Sequence, residues 1–300
     1  MLDITRLRVL VAVAQHGSVT KAARALHYAQ PSVSHHLARL EAETGARLFQ
    51  RVGRGIRLTE AGQILAERAT EVFGRLDAAE HELAAIGGLA AGRVRLAAFP
   101  SAFATVVPNA VTRFTASYPG LALTLVEAEP PSALGMLRAG EVDVAMVFTH
   151  QPHPMADTDG FRTTALFDEP LFLVLPPGSR RRRRGRLADH VEDAWIAGCE
   201  RCRAHLLEQC TAAGFTPQIA FSTDDYVTVQ SLVAAGVGVS TLPALALVAH
   251  RHPDVVLTRL PGEIRHVLAA TYGDPPDPPA VTAILTCLAA ATDSAEAWSP

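Results

Sequence analysis

Three groups of residues have types and spacings that could do chemistry. The first is Cys199-x2-Cys202-x2-His205-x4-Cys210. A Cys/His set this close could hold a soft metal, and a thiol beside Arg201 or Arg203 could be depressed in pKa and oxidised. Cys202 and His205 share a helical face, but Cys210 lies two turns further on and no second ligand cluster accompanies the set. The plainer expectation is ordinary buried or cleft thiols, with no metal. The second group is Asp224-Asp225 after Thr223, where a carboxylate pair could act as general acid and base. Nothing nucleophilic stands with it, and a helix N-terminus favours carboxylates anyway, so neither catalysis nor a cofactor is expected. The third group runs from Gln30 to Arg39. On a helix, Val33, Leu37 and Leu40 face inward, while Gln30, Ser32, Ser34, His35 and Arg39 face outward. Short polar residues near a helix N-terminus let the backbone approach base edges, and Gln pairs bidentately with adenine. Pro31 offers an apolar surface to a thymine methyl. Thr20, Lys21 and Arg54 are placed to contact phosphates. A helical bundle with a solvated basic face would carry the same pattern, so the charge distribution matters.

Residues 1–59 hold nine Lys/Arg against three acids, a net charge of +6, whereas the rest of the chain carries −9. A basic head on an acidic body suits a head that meets a polyanion. The Arg180–Arg184 run follows Pro176-Pro177-Gly178 and reads instead as a solvated loop. No stretch approaches the roughly 18 apolar residues of a membrane span, and the start lacks a signal-peptide core. A cytoplasmic location is expected, with reduced cysteines and no membrane partner.

The elements that must position these residues fall into three regimes. Residues 4–15 place Leu7, Leu10, Val11 and Ala14 in a helical stripe. Gly17 suits a left-handed stop, Ser18 a cap, and Val19, Ala22, Ala23 and Leu26 line a second helix. The third helix starts near Pro31 and closes at Gly45, and a small hairpin flanks Val52-Gly53-Arg54-Gly55. Next, a long helix from about Thr59 to Ile86 carries Leu65, Ala69, Val72, Leu76, Ala79, Leu83 and Ile86 at alternating spacings of four and three. That heptad stripe is too long for so small a head to cover, so a second copy of the chain is the expected partner.

After Gly87-Gly88 and Gly92, strand-like runs (93–99, 121–127, 142–148) alternate with helical ones (102–117, 133–139), which predicts a parallel sheet with helices on its faces. A second set follows: strands 171–175, 194–198, 218–221 and 238–242, with helices 203–213 and 226–235. A last strand, 267–272, and a helix at 281–291 complete the chain. Two such sets imply two lobes around a cleft, with ligands outside the strands' carboxyl ends. Ser101, Thr149 and Thr223 stand at such ends, and Phe99, Phe103 and Phe148 could line the pocket, although core packing is their default.

Residues 2–66 resemble the DNA-binding head of the LysR-type transcriptional regulators. The matching stretches are Leu7-Arg8-Val9-Leu10, Gly17-Ser18-Val19-Thr20-Lys21-Ala22-Ala23, Gln30-Pro31-Ser32-Val33-Ser34 and Leu40-Glu41. They continue through Gly45-Ala46-Arg47-Leu48-Phe49-Gln50-Arg51 and Leu58-Thr59-Glu60-Ala61-Gly62. His35-His36 departs from the pattern, which more often has Arg, Gln or a similar long polar residue there. The resemblance implies a multi-domain α/β chain with three parts. These are a winged helix-turn-helix head (1–59), a dimerising linker helix (60–88) and a two-lobed effector domain like periplasmic binding proteins (93–300). The lobes would comprise 93–162 with 268–300, and 163–267. It further implies effector binding near Ser101 and Ala102, near Phe148 and Thr149, at Gly198–Cys202 including Cys199, and at Thr223. Double-stranded DNA, a small-molecule effector and self-association as a dimer of dimers are the implied partners. The implied role is an effector-responsive, non-enzymatic regulator. Redox or metal sensing through Cys199, Cys202 and Cys210 is the alternative.

Overall fold

Asp3 starts the first helix, α1 (Ile4–His16), by accepting a hydrogen bond from the Arg6 N–H at 3.0 Å. Gly17 ends it at φ 59°, in the left-handed region, and Ser18 caps α2 (Val19–Ala25) through the Lys21 N–H. His27 occupies the same region, at φ 55°, in the turn leading to α3 (Gln30–Thr44). Strands β1 (Phe49–Val52) and β2 (Gly55–Leu58) pair antiparallel as the wing, and α4 (Glu60–Ile86) follows. The computed structural model describes residues 2–52, 55–86, 92–151, 160–179 and 186–292. These fall into two units, residues 1–88 with 138–141 and residues 89–137 with 142–300.

In the first unit α1 is packed on two sides, which widens the stripe read from its spacing. Val9, Ala12 and Val13 pack with α2 and α3, while Leu7 and Leu10 pack with Leu40, Leu48 and the start of α4. Val11 and Ala14, expected in the core, are only partly buried. The Glu41 carboxylate accepts from the Leu48 N–H (2.8 Å) and the Phe49 N–H (3.3 Å), tying the end of α3 to the wing. Gly62 allows α4 to start against this junction, because a Cβ there would lie 2.1 Å from the Leu48 carbonyl oxygen. Further along α4, Ala69 is buried, but Val72 and Leu76 are each 43% exposed and Leu83 is 69% exposed. The Ile86 side chain lies outside the described residues.

The second unit is built on β3 (Arg93–Ala98), β4 (Ala122–Glu127), β5 (Val144–Thr149) and two strands of unusual length, β6 (Phe161–Leu175) and β10 (Val256–Tyr272). Between these two come β7 (Ala194–Ala197), β8 (Gln218–Ser222) and β9 (Ser240–Pro243). Helices α5 (Pro100–Phe103), α6 (Val106–Ser117), α7 (Pro130–Arg138), α8 (Glu200–Ala212), α9 (Tyr226–Ala234), α10 (Ala244–Ala249) and α11 (Pro279–Thr292) connect and cover them. The six-stranded sheet has the order β4-β3-β5-β10-β6-β9. β3 is parallel to β4 and β5, whereas β10 is antiparallel to β5 and β6, and β6 to β9. β7 pairs parallel with β8, and Trp195 bridges to Val239 beside β9.

The parallel pairing expected of the runs 93–99, 121–127 and 142–148 is present in β3, β4 and β5, and β6, β9 and β10 extend the sheet in antiparallel fashion. Two expectations need correction. The strands expected at 171–175 and 267–272 are only the ends of β6 and β10, which run through both lobes. Their earlier halves were obscured by Asp168-Glu169-Pro170 and by Pro261-Gly262-Glu263, where the register shifts between Arg259 and Ile264. The helix expected over 102–117 is two helices. Pro108 cannot donate to the carbonyl four residues back and would clash with it, and the Thr105 hydroxyl bonds the Ser101 carbonyl at 2.6 Å instead.

Candidate functional site

The outward side of α3 is as the sequence placed it. Gln30, Pro31, Ser32, Ser34, His35 and Arg39 are exposed, as are Thr20 and Lys21, and Val33, Leu37 and Leu40 are buried beneath them. Arg54 lies outside the described residues. The Gln30 amide donates to the Ser34 hydroxyl at 3.2 Å, which aims it along the helix face. Tyr28 stacks on His36 with ring centroids 6.0 Å apart. A groove of about 1040 Å³ runs along this side, lined by Thr20, Gln30 and Ser34 and by Arg47 and Gln50 next to the wing. Arg47 and Gln50 were missed as candidates; their signal was their position on either side of the buried Leu48 at the start of the wing.

The second site lies where β6 and β10 pass between the lobes of the other unit. Glu169 on β6 faces Arg265 on β10, both almost completely buried. Arg265 Nε donates to Glu169 Oε1 at 2.7 Å, and the Leu245 N–H donates to Glu169 Oε2 at 2.7 Å. Arg265 also donates to the Ser101 hydroxyl at 3.1 Å, and its guanidinium sits against the rings of Phe99 and Phe148, 4.8 and 4.5 Å from their centroids. Every charge is therefore matched, by an ion, a hydroxyl, a peptide or an aromatic face. Neither Glu169 nor Arg265 was a candidate from sequence. No local signal singled them out, because Asp168 stands beside Glu169 and Arg259 and Glu263 share the strand with Arg265.

Above this floor is a cavity of about 50 Å³ whose wall includes Ser101, Phe148, Cys199 and Thr223, four of the expected effector residues, with Glu129, Cys202, Asp224 and Arg265. A second cavity of about 220 Å³ shares Glu129, Cys199 and Asp224 and extends to Ser132, Glu200 and Arg201. Ala102 and Thr149 are buried near the cleft but line neither cavity; the Thr149 hydroxyl accepts from the Gln151 N–H. Phe99 lines the smaller cavity, whereas Phe103 packs against the core. Asp225 is the cap of α9, accepting from the N–H groups of Val227 and Thr228, as expected of a carboxylate at a helix start.

The Cys199 thiol donates to Cys202 Sγ at 3.1 Å. That bond pushes Cys199 up and Cys202 down, with burial adding to the first and the Arg265 charge to the second. Burial raises the Glu129 carboxyl above the ordinary range, and its Oε2 has no hydrogen-bond partner among the described residues. His205 stacks face to face on His150 at 3.9 Å, and burial pushes His150 down to about 2. Cys210 is fully buried in a separate cluster with Trp195 and Leu206, so the four-residue Cys/His set does not come together. Among the described residues no group of three His, Cys, Asp or Glu side chains is placed to hold a metal.

A winged head with an exposed polar helix and a long following helix, in a chain that also holds a two-lobed α/β domain with a charged internal cleft, defines a DNA-binding regulator with a receptor domain. Family comparisons name the class. The model of bacterial regulatory helix-turn-helix proteins of the lysR family matches residues 4–63, and that of the LysR substrate binding domain matches residues 87–293. The chain belongs to the LysR family of transcriptional regulators. It is 30% identical over 264 residues to the uncharacterized HTH-type transcriptional regulator YcgK of Bacillus subtilis, covering 81% of this chain and 80% of that one. It is 27% identical over 259 residues to the hydrogen peroxide-inducible genes activator of Pectobacterium carotovorum subsp. carotovorum, covering 85% and 84%. A full-length OxyR variant from Pseudomonas aeruginosa superposes with a TM-score of 0.65 at 25% identity over 96% of this chain and 95% of that one. Full-length CbnR in complex with its target DNA shares the fold, with a TM-score of 0.64 at 23% identity over 97% and 100%. Among the described residues no helix is long and apolar enough to cross a membrane.

Proposed function

We propose that the exposed face of α3 reads base edges in the major groove and that occupancy of the cleft at Arg265 controls how well it does so. The observation that carries this reading is the division of labour along α3, with Val33, Leu37 and Leu40 buried and Gln30, Ser32, Ser34, His35 and Arg39 left outward. Gln30 is the base reader, Pro31 the methyl contact, and Thr20, Lys21, Arg39 and Arg54 hold phosphates. The exposed heptad residues Val72, Leu76 and Leu83 favour a second copy along α4, so that two heads address a two-fold related site, with pairs of dimers forming a tetramer. The domains are then the head (1–59), the linker (60–88) and the effector domain (93–300), with the lobes exchanging at 162/163 and 267/268. Ser101, Ala102, Phe148, Thr149, Cys199 and Thr223 serve the effector site, through the cavity wall or from just behind it. The protein works in the cytoplasm and acts as a regulator, not an enzyme; the charged floor of the cleft, Arg265 with Glu169 and Ser101, is neutralised internally.

The test is binding of the purified protein to the DNA upstream of its own gene, measured against random duplex at several salt concentrations and with candidate metabolites added. A preference that survives salt and shifts with one metabolite supports the reading; equal binding to random duplex overturns it. A second reading, thiol control of the same cleft, is favoured by the contact between Cys199 and Cys202 and fits the name of several relatives, hydrogen peroxide-inducible genes activator.

A further inference from the structure

We infer that the effector cleft takes a small primary amine, its ammonium held between Glu129 and Asp224 and its short alkyl chain seated among Val229, Leu242 and Ala246. The inference rests on the reading of this cleft as the effector site and names the chemical class that the site admits.

The sequence around Glu129 leaves its carboxyl without a partner. A carboxylate just ahead of a helix ordinarily caps it by accepting from N–H groups of the first turn. Glu129 stands in that position before α7, and its carbonyl accepts from the Ala133 N–H at 2.9 Å. The first two residues of α7, however, are Pro130 and Pro131, which have no N–H to give. Glu129 Oε2 is shut away from the surface and has no hydrogen-bond partner among the described residues. A buried acceptor left that way is destabilising until a donor reaches it, and Glu129 lines both cavities of the cleft, where a ligand can bring one.

Charge decides which donor. Helix starts attract anions, and those of α7, α8 and α9 all border the two cavities. Each already carries an acid of the chain's own. Glu129 precedes α7, Glu200 lies in the first turn of α8, and Asp225 caps α9 through the N–H groups of Val227 and Thr228. The cations of the wall are engaged as well: Arg265 pairs with Glu169, and Arg201 donates to the Phe148 carbonyl at 2.9 Å. Asp224 lines both cavities beside Glu129, and its charge adds to the burial that raises the Glu129 carboxyl. A ligand carboxylate would meet like charges there. An ammonium brings three donors and the opposite charge.

The cavity walls set the rest of the molecule. The cavity of about 50 Å³ is closed by Val229, Leu242, Pro243 and Ala246 and has room for only a few methylene-sized groups, so the chain is short, about three or four carbons. The adjoining cavity of about 220 Å³ shares Glu129, Cys199 and Asp224 with it and takes the charged end.

Three probes with one carbon chain and different heads test this: n-butylammonium, n-butyrate and 1-butanol. Each is titrated calorimetrically into the full-length protein at pH 7 and matched ionic strength. Butylammonium should bind at least about tenfold more tightly than the other two, and each methylene removed from it should weaken binding about fourfold. Glu129→Gln keeps the shape and removes the charge. It should lose at least about tenfold in amine affinity yet unfold at no lower urea concentration than the parent, because Glu129 Oε2 has no partner to lose. Butyrate binding as tightly as butylammonium, no binding of any short amine, or an amine affinity unchanged in Glu129→Gln would overturn the inference. Parallel DNA titrations separate it from the reading beneath it. If butyrate and not butylammonium shifts DNA affinity, the ligand class is wrong and control by the cleft stands. If butylammonium binds without altering DNA affinity, the ligand class stands and control by the cleft falls.

Discussion

The head and the sensor solve opposite problems with polar side chains. In the head, the polar residues assigned to recognition are outside and the interior is apolar. Among the described residues, all ten fully buried polar or charged side chains, from Ser101 to Thr292, belong to the sensor. A surface that meets a rigid polyanion needs only to present its groups, and the partner supplies the opposite charges. A receptor must instead hold polar groups inside before its ligand arrives. Burying them is costly unless each is matched, which is why Arg265 is held by Glu169, Ser101 and two aromatic rings.

The largest test of this contrast is Glu169→Ala. It leaves Arg265 buried without its counter-ion and should destabilise the sensor by about 3–5 kcal/mol. Both tryptophans, Trp195 and Trp298, belong to the sensor half of the sequence, so fluorescence-detected urea unfolding follows that unit without interference from the head. A loss under 1 kcal/mol (approximately) would mean the buried pair is not needed. Gln30→Ala makes the complementary change in the head. It should leave unfolding unaltered and cost about 1–3 kcal/mol of discrimination at one base pair, read from competition binding against single-base operator variants.

The contrast sharpens with acid. Half-buried His150, stacked on His205, stays neutral in the fold, with its pKa pushed down by burial to about 2 from an ordinary 6.5. The unfolded ring gains a proton below 6.5 that the folded ring refuses. Its contribution is therefore intact above pH 6.5 and falls by up to about 1.4 kcal/mol per pH unit as the solution is acidified toward 2. His150→Leu should flatten that slope in pH-dependent unfolding of the sensor. The smallest effect is expected at His27→Gly, which relieves a left-handed backbone at φ 55° and should stabilise the head by about 1 kcal/mol without altering operator preference. Circular dichroism melting of the head region would register it.

These differences also explain what could be read from the chain. In the head, one side of each element is apolar and the other polar, so Val33, Leu37 and Leu40 announce which way Gln30 and Ser34 point. Gly17 and Gly45 mark ends that backbone stereochemistry dictates. In the sensor, the strand ends that carry Ser101 and Thr223 were legible because a strand followed by a helix puts its site at the turn. Glu169 and Arg265 were not, since their partners lie 96 residues apart in sequence and no local period links them. The same long-range pairing hid the first halves of β6 and β10. The proximity of Cys199 to Cys202 was legible from their spacing, whereas the exclusion of Cys210 depended on which core α8 packs against.

The two long strands also set an order on synthesis. β6 pairs with β10 from Phe161–Tyr272 to Leu175–Val256, so neither lobe can complete its sheet until the chain has been made through to Tyr272. The head draws its contacts from neighbours in sequence and can finish folding while the ribosome is still hundreds of angstroms of nascent chain, in contour, from that point. A message broken between these two moments therefore releases a reader of DNA that has no receptor to answer to.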